Sequence, residues 1–147
     1  MLKILGILLL MSGSAAFGFL KANKLRTRQK RLSAIYTFII ETAERIKFGE
    51  EMEKIIETLG SSAGIYKKGY NIYLSEEGLS ALDISLAKEF ISSLGMGNKE
   101  YEIKRCENYS LLFKKTLSAA ETENKEKASV YRKLGIFTGL LVGIVLI

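Results

Sequence analysis

The sequence predicts an all-α fold, an antiparallel helical bundle with an N-terminal and a C-terminal transmembrane helix. Three observations lead there. The 147 residues include no proline, so the strongest helix breaker is missing. Apolar residues crowd the two ends while charges fill the middle, and mean hydropathy still comes out slightly positive at +0.12. Apolar side chains in the middle recur at steps of three and four, the period of one helix face.

The first element is an uncharged run from Ile4 to Leu20, ILGILLLMSGSAAFGFL. As a helix it reaches about 25 Å, and flanking residues extend it toward the ~30 Å hydrocarbon core of a bilayer. A cleaved signal peptide is the competing reading, with Lys3 as its charged start and Ser14-Ala15-Ala16 as its small-residue site. Against cleavage stand Lys21, Lys24, Arg26, Arg28, Lys30 and Arg31, a basic run without an acid that would hold its side in the cytoplasm. The helix continues from Lys21 to Phe48 on a stripe of Leu32, Ile35, Ile39, Ala43 and Ile46, and Gly49 suits its left-handed end.

Glu50 to Leu59 reads as a short helix, with Glu50 and Glu51 favourable to its dipole, a stripe of Met52, Ile55, Ile56 and Leu59, and Gly60 as its stop. Ser62 to Leu74 is predicted as a third helix carrying Tyr66, Tyr70 and Tyr73 on one side, although Tyr70-Asn71-Ile72-Tyr73 also reads as strand. Ser75 is placed as the N-cap of a fourth helix, with Glu76 and Glu77 in its first turn. Its apolar face is Leu79, Leu82, Leu86, Phe90 and Leu94, and Gly95 and Gly97 break the chain after it. The last helix runs from about Asn98 into the tail on a heptad-like seam of Ile103, Cys106, Ser110, Phe113, Leu117, Ala120 and Asn124.

The chain closes on Leu134–Ile147, LGIFTGLLVGIVLI, which reaches only about 21 Å. Tyr131, Arg132 and Lys133 can extend it by snorkelling, and a buried core helix is the competing reading. Gly135, Gly139 and Gly143 share one face and are assigned to transmembrane helix packing, against the first segment, where Ser14 and Gly18 form a similar pair, or between copies as a possible homo-oligomer. The resulting organisation is an N-terminal transmembrane helix at 1–20, a cytoplasmic bundle at 21–133 and a C-terminal transmembrane segment at 134–147. Lys21, Lys24, Arg26, Arg28, Lys30, Arg31, Arg132 and Lys133 are assigned to the membrane interface, where basic residues attract anionic lipid.

The inventory of reactive groups argues against catalysis. There is no histidine, the usual general base and metal ligand, and the single cysteine, Cys106, can form neither an internal disulfide nor a cysteine-rich zinc site. No Gly-rich phosphate loop is present, and the carboxylates alternate with Lys or Arg as solvated helix faces do. No enzyme activity, cofactor or metal is expected. The net charge of +6 and the tyrosines beside Lys67 and Lys68 would suit nucleic acid, since bases stack on rings beside cations. Tyrosines at helical spacing more often finish a core with their hydroxyls outside, so no nucleic acid is expected.

Several stretches together resemble the stage III sporulation protein AB family. The opening MLKILGILLLMSGSAAFGFLKANKLRTRQKRL is similar to the family's start, and Ile46-Lys47-Phe48-Gly49 to its I-x-[YF]-G corner. Leu74-Ser75-Glu76-Glu77, Glu89-Phe90 and Leu94-Gly95 resemble its L-S-E-E-D…E-F-G…L-G stretch. Tyr131-Arg132-Lys133-Leu134-Gly135 with Gly139-Leu140-Leu141 resembles its terminus. The resemblance implies a scaffold in the channel apparatus between mother cell and forespore, located in the mother-cell membrane, with a cytosolic bundle akin to type II secretion and type IV pilus platform proteins. The implied partners are the other stage III channel proteins, including the AA ATPase. The chain departs from the family after Gly49, where a Pro-containing segment and a further helical pair are usual, and at Gly78, which replaces an acid. Two rival functions are a membrane-associated lipid- or nucleic-acid-binding module and a secretion-platform protein unrelated to sporulation.

Overall fold

The computed structural model describes residues 2–146. The elements in chain order are α1 (Leu2–Lys47), α2 (Met52–Ala63), β1 (Ile65–Lys68), β2 (Asn71–Leu74), α3 (Ala81–Ser92) and α4 (Lys99–Leu146). The chain divides into an end unit, residues 1–27 with 120–147, and a central unit, residues 28–119. The two long helices contribute to both.

The helices agree with the all-α expectation, but the transmembrane part of it is overturned. Among the described residues no helix is long and apolar enough to cross a membrane. Length is not what is lacking, since α1 has 46 residues and α4 has 48. What is limited is the uncharged part of each helix. The first uncharged run is bounded by Lys3 and Lys21, and the last starts only after Arg132 and Lys133. At about 25 and 21 Å, both runs fall short of a ~30 Å hydrocarbon core.

In the central unit the α1 stripe is buried as its spacing requires: Leu32, Ile35, Ile39, Ala43 and Ile46, joined by Phe38 and Thr42. From α4, Cys106 and Phe113 enter the same class of fully buried side chains, and Ile55, Ile65 and Phe90 come from α2, β1 and α3. α2 does not stop at Gly60. It continues to Ala63, and Gly64 takes the left-handed position that closes it, at φ 68°, where its N–H reaches the carbonyls of Gly60 and Ser61. Gly60 is tolerated inside the helix because a side chain there would meet the Ile65 carbonyl.

The third predicted helix is instead a hairpin. β1 and β2 pair antiparallel with Ile65 opposite Leu74 and Tyr66 opposite Tyr73. Gly69, at φ 64°, lies between them and permits the turn. The fourth predicted helix begins later than Ser75. Its N-cap is Ser80, whose hydroxyl accepts from the Asp83 N–H at 3.3 Å, while the Asp83 carboxylate accepts from the Ser80 N–H at 2.9 Å. This reciprocal box sets the register of α3, so that Ala87, Phe90 and Ile91 face inward and Leu82 is 83% exposed.

In the end unit, α1 and α4 run antiparallel, with Ser14 and Gly18 beside Gly135 and Gly18 also beside Tyr131. Gly18, Ala22, Ala120, Ala128, Gly135 and Gly139 are buried. Phe17, Phe19, Leu20, Leu134, Ile136 and Phe137 are exposed. Among the residues described, small side chains thus line the inside of this helix pair, and these large apolar ones its outside.

Candidate functional site

Close approach defines the end unit. The Ser14 hydroxyl donates to the Gly135 carbonyl at 2.8 Å. A Cβ placed on Gly18 would stand 2.5 Å from the Tyr131 carbonyl oxygen, closer than a Cβ comes to any atom, and at a tight 3.1 Å from the Gly135 Cα. Glycine is therefore obligatory here for backbone-to-backbone contact. Of the predicted packing glycines, Gly135 lies in this contact and Gly139 is buried beyond it, while the surroundings of Gly143 lie outside the described residues.

The basic residues assigned to one collar divide into four groups. Lys21 holds its ammonium 5.7 Å from the ring centroids of both Phe17 and Tyr131, within range of a cation–π attraction. Lys24, Lys30 and Lys133 are exposed. Arg26 and Arg132 line a groove of about 690 Å³ between α1 and α4, together with Phe19, Leu20, Asn23 and Asn124.

The remaining two arginines belong to the central unit and build it. Arg28 makes a two-pronged contact with Asp83, Nε to Oδ2 at 2.7 Å and Nη2 to Oδ1 at 3.0 Å. Burial alone would raise the Asp83 carboxyl. The hydrogen bonds from Arg28 and Ser80, with the Arg28 charge, outweigh it and hold the group below its usual value. Arg31 donates from Nη2 to the Ser75 carbonyl at 2.8 Å, and its guanidinium fills the space where a Gly64 side chain would go. One arginine thus ties α1 to the capping turn of α3, and the other ties it to both ends of the hairpin.

A second polar cluster was not visible as such in the sequence. Glu102 and Arg105 are buried and bonded to each other at 2.8 Å. The other Glu102 oxygen accepts from the Gly97 N–H at 2.9 Å, which fastens the turn before α4. The Arg105 guanidinium lies 5.4 Å from the Phe90 ring, and Phe90 lies 5.1 Å from Tyr109. The neighbouring Cys106 thiol is pushed up to about 11, first by burial, so it stays protonated and unreactive at neutral pH. Glu102 and Arg105 sit one helical turn apart, a spacing equally common on solvated faces, and only the contacts show that this pair is inside.

The hairpin supplies the exposed aromatic surface. Tyr66 and Tyr73 are cross-strand partners and each is 51% exposed, while Tyr70 at the turn is fully exposed. Lys68 and Asn71 pair on the same face. The opposite face is anchored by Ile65, which is buried, and by the ion pair of Lys67 with Glu53 of α2.

Neither the curated proteins nor the solved structures contain a match to this chain. Residues 50–147 match the family described as Stage III sporulation protein AB. The matched stretch takes in α2, the hairpin, α3 and α4, and so includes the Ser80–Asp83 cap, the Glu102–Arg105 pair and Gly135. With two thirds of its length matched, the chain belongs to the stage III sporulation protein AB family.

Proposed function

We propose that this chain works in endospore formation as a structural component, not an enzyme, and recruits other stage III proteins to the apparatus between mother cell and forespore. Family membership supports the sporulation role. The observation that carries the recruiting role is the hairpin. Tyr66, Tyr70 and Tyr73 stand out from a short sheet whose other face is fixed by buried Ile65 and the Lys67–Glu53 pair. Large amphipathic rings on a rigid support are what protein interfaces use as anchors, because little side-chain entropy is lost on binding. The partners on this reading are the other stage III channel proteins, with the AA ATPase foremost, and the chain's contribution is assembly without chemistry.

The test is recovery of the tagged full-length protein from sporulating cells, with and without Tyr66→Ala, Tyr70→Ala and Tyr73→Ala combined. The unsubstituted protein is expected to bring the AA ATPase with it, and the triple variant to bring at least tenfold less at equal helical content. Equal recovery by both proteins would remove the hairpin from the interface. Failure of the unsubstituted protein to recover any stage III component would remove the recruiting role.

A further inference from the structure

The groove of the end unit goes beyond the recruiting role, and we propose that it is a binding site for a single anionic phospholipid of the phosphatidylglycerol type. Its α1 wall is one helix face, since Ala16, Phe19, Leu20, Asn23 and Arg26 recur at steps of three and four. From Ala16 to Arg26 that face is roughly 15 Å long. It is apolar at its Ala16 end and carries a guanidinium at its other end. Arg132 enters from α4, and Asn124 adds a carboxamide. The volume of about 690 Å³ lies within the range of small-molecule sites, roughly 300–1,000 Å³.

Charge selects the ligand. Among the described residues two guanidiniums line the groove and no carboxylate does. Among the described residues neither Arg26 nor Arg132 is in a salt bridge, and Arg132 uses only Nε, toward the Ala128 carbonyl at 3.3 Å. A planar fork of N–H donors matches a phosphate oxygen pair, which a lysine ammonium matches less well. The ligand is therefore an anion with an apolar extension, its phosphate at the guanidiniums and an acyl segment along Phe19 and Leu20. A further groove of the end unit, about 420 Å³ beside Gly18 and Gly135, is lined among the described residues by Lys21 as its cation, held over two rings. Arg26, Arg132, Lys24, Lys30 and Lys133 are all exposed, but this assignment differs from a general basic collar, because it gives weight to the two arginines that line the groove and none to the three lysines.

That difference supplies the experiment. Monomeric dihexanoyl phosphatidylglycerol, below its micelle concentration, is titrated calorimetrically into the full-length protein. The Arg26→Gln/Arg132→Gln variant is expected to bind at least tenfold more weakly, and a Lys24→Gln/Lys30→Gln variant of equal charge change to bind as the unsubstituted protein does. Leu20→Asn, at an exposed position that leaves both charges in place, is expected to weaken lipid binding severalfold without changing any response to inorganic phosphate. Equal losses in the two double variants would overturn the site in favour of diffuse attraction. Binding of dihexanoyl phosphatidylcholine as tight as the glycerol lipid would overturn the charge selection, and inorganic phosphate as tight as lipid would overturn the acyl contact.

Discussion

At the scale of single residues, Asp83 joins two elements, α1 and α3. It caps α3 and receives both prongs of Arg28 while being 1% exposed. Its carboxyl is held below the usual value, so the charged form is favoured by folding. The associated stability is fully present above the unfolded carboxyl value of about 3.9 and is lost as pH falls through the lower folded value. Asp83→Asn is therefore expected to cost about 3 kcal/mol at pH 7, near the lower end for breaking a buried pair, because the Arg28 side chain keeps 23% of its surface in solvent. Denaturant midpoints measured from pH 7 to pH 2 should show the variant's curve flatter and the two proteins converging at the acid end. A constant gap across that range would mean that the charge is not what stabilises the cap. The cap also marks a limit of legibility. Ser80 and Asp83 have the spacing of a capping box, but Ser75 followed by two glutamates offers an equally good start. Local signals cannot rank them; the choice is made by Arg28, which is distant in sequence.

At the scale of elements, the long helices were the legible part. Leu32, Ile35, Ile39, Ala43 and Ile46 of α1 are all buried, as are Cys106, Phe113 and Ala120 of the α4 seam, because a helix that buries one face must repeat apolar residues at its own period. The hairpin was less legible. Tyr66, Tyr70 and Tyr73 have helical spacing by accident of a turn, since Tyr66 and Tyr73 meet across two strands and Tyr70 lies in the connection. The correct signal was Gly64 and Gly69, both at positive φ, bracketing a strand too short to show a period of its own. The contact of α1 with α4 in the end unit yields a paired prediction. Gly18→Ala forces a Cβ against the Tyr131 carbonyl, whereas a Cβ at Gly13 meets nothing within 4 Å. Gly13→Ala should stabilise its helix by up to about 1 kcal/mol through propensity alone. Gly18→Ala has the same propensity gain and should nevertheless part the helices. Hydrogen exchange of residues 12–24 and 128–140 should quicken in Gly18→Ala and slow or stay level in Gly13→Ala. Slower exchange in both would show that propensity outweighs the contact.

At the scale of the whole molecule, the two units hold their interiors together by different means. Among its described residues the end unit closes on glycine and alanine, with large apolar side chains such as Phe17, Phe19, Leu134 and Phe137 outside. The central unit closes on Leu32, Phe38, Ile55, Ile65, Phe90 and Phe113, all at most 1% exposed. Burying each such side chain contributes about 1.5–3 kcal/mol before the entropy of ordering is set against it. Arg28–Asp83, Arg31–Ser75 and Glu102–Arg105 all lie within residues 28–119 as well. The distribution of apolar residues along the sequence pointed the other way, toward ends with the strongest hydrophobic demand, because composition counts apolar residues without showing which of them meet one another. A fragment of residues 28–119 has its apolar core and its polar ties complete, and should fold alone. Its urea unfolding, followed by circular dichroism, is expected to be cooperative with a slope of about 1–3 kcal/mol per molar. Cys106, buried in that core, should become reactive to a thiol reagent over the same urea range in the fragment and in the full chain. A gradual loss of helix in the fragment, or a thiol open to reagent without urea, would mean that the ends supply what the core lacks.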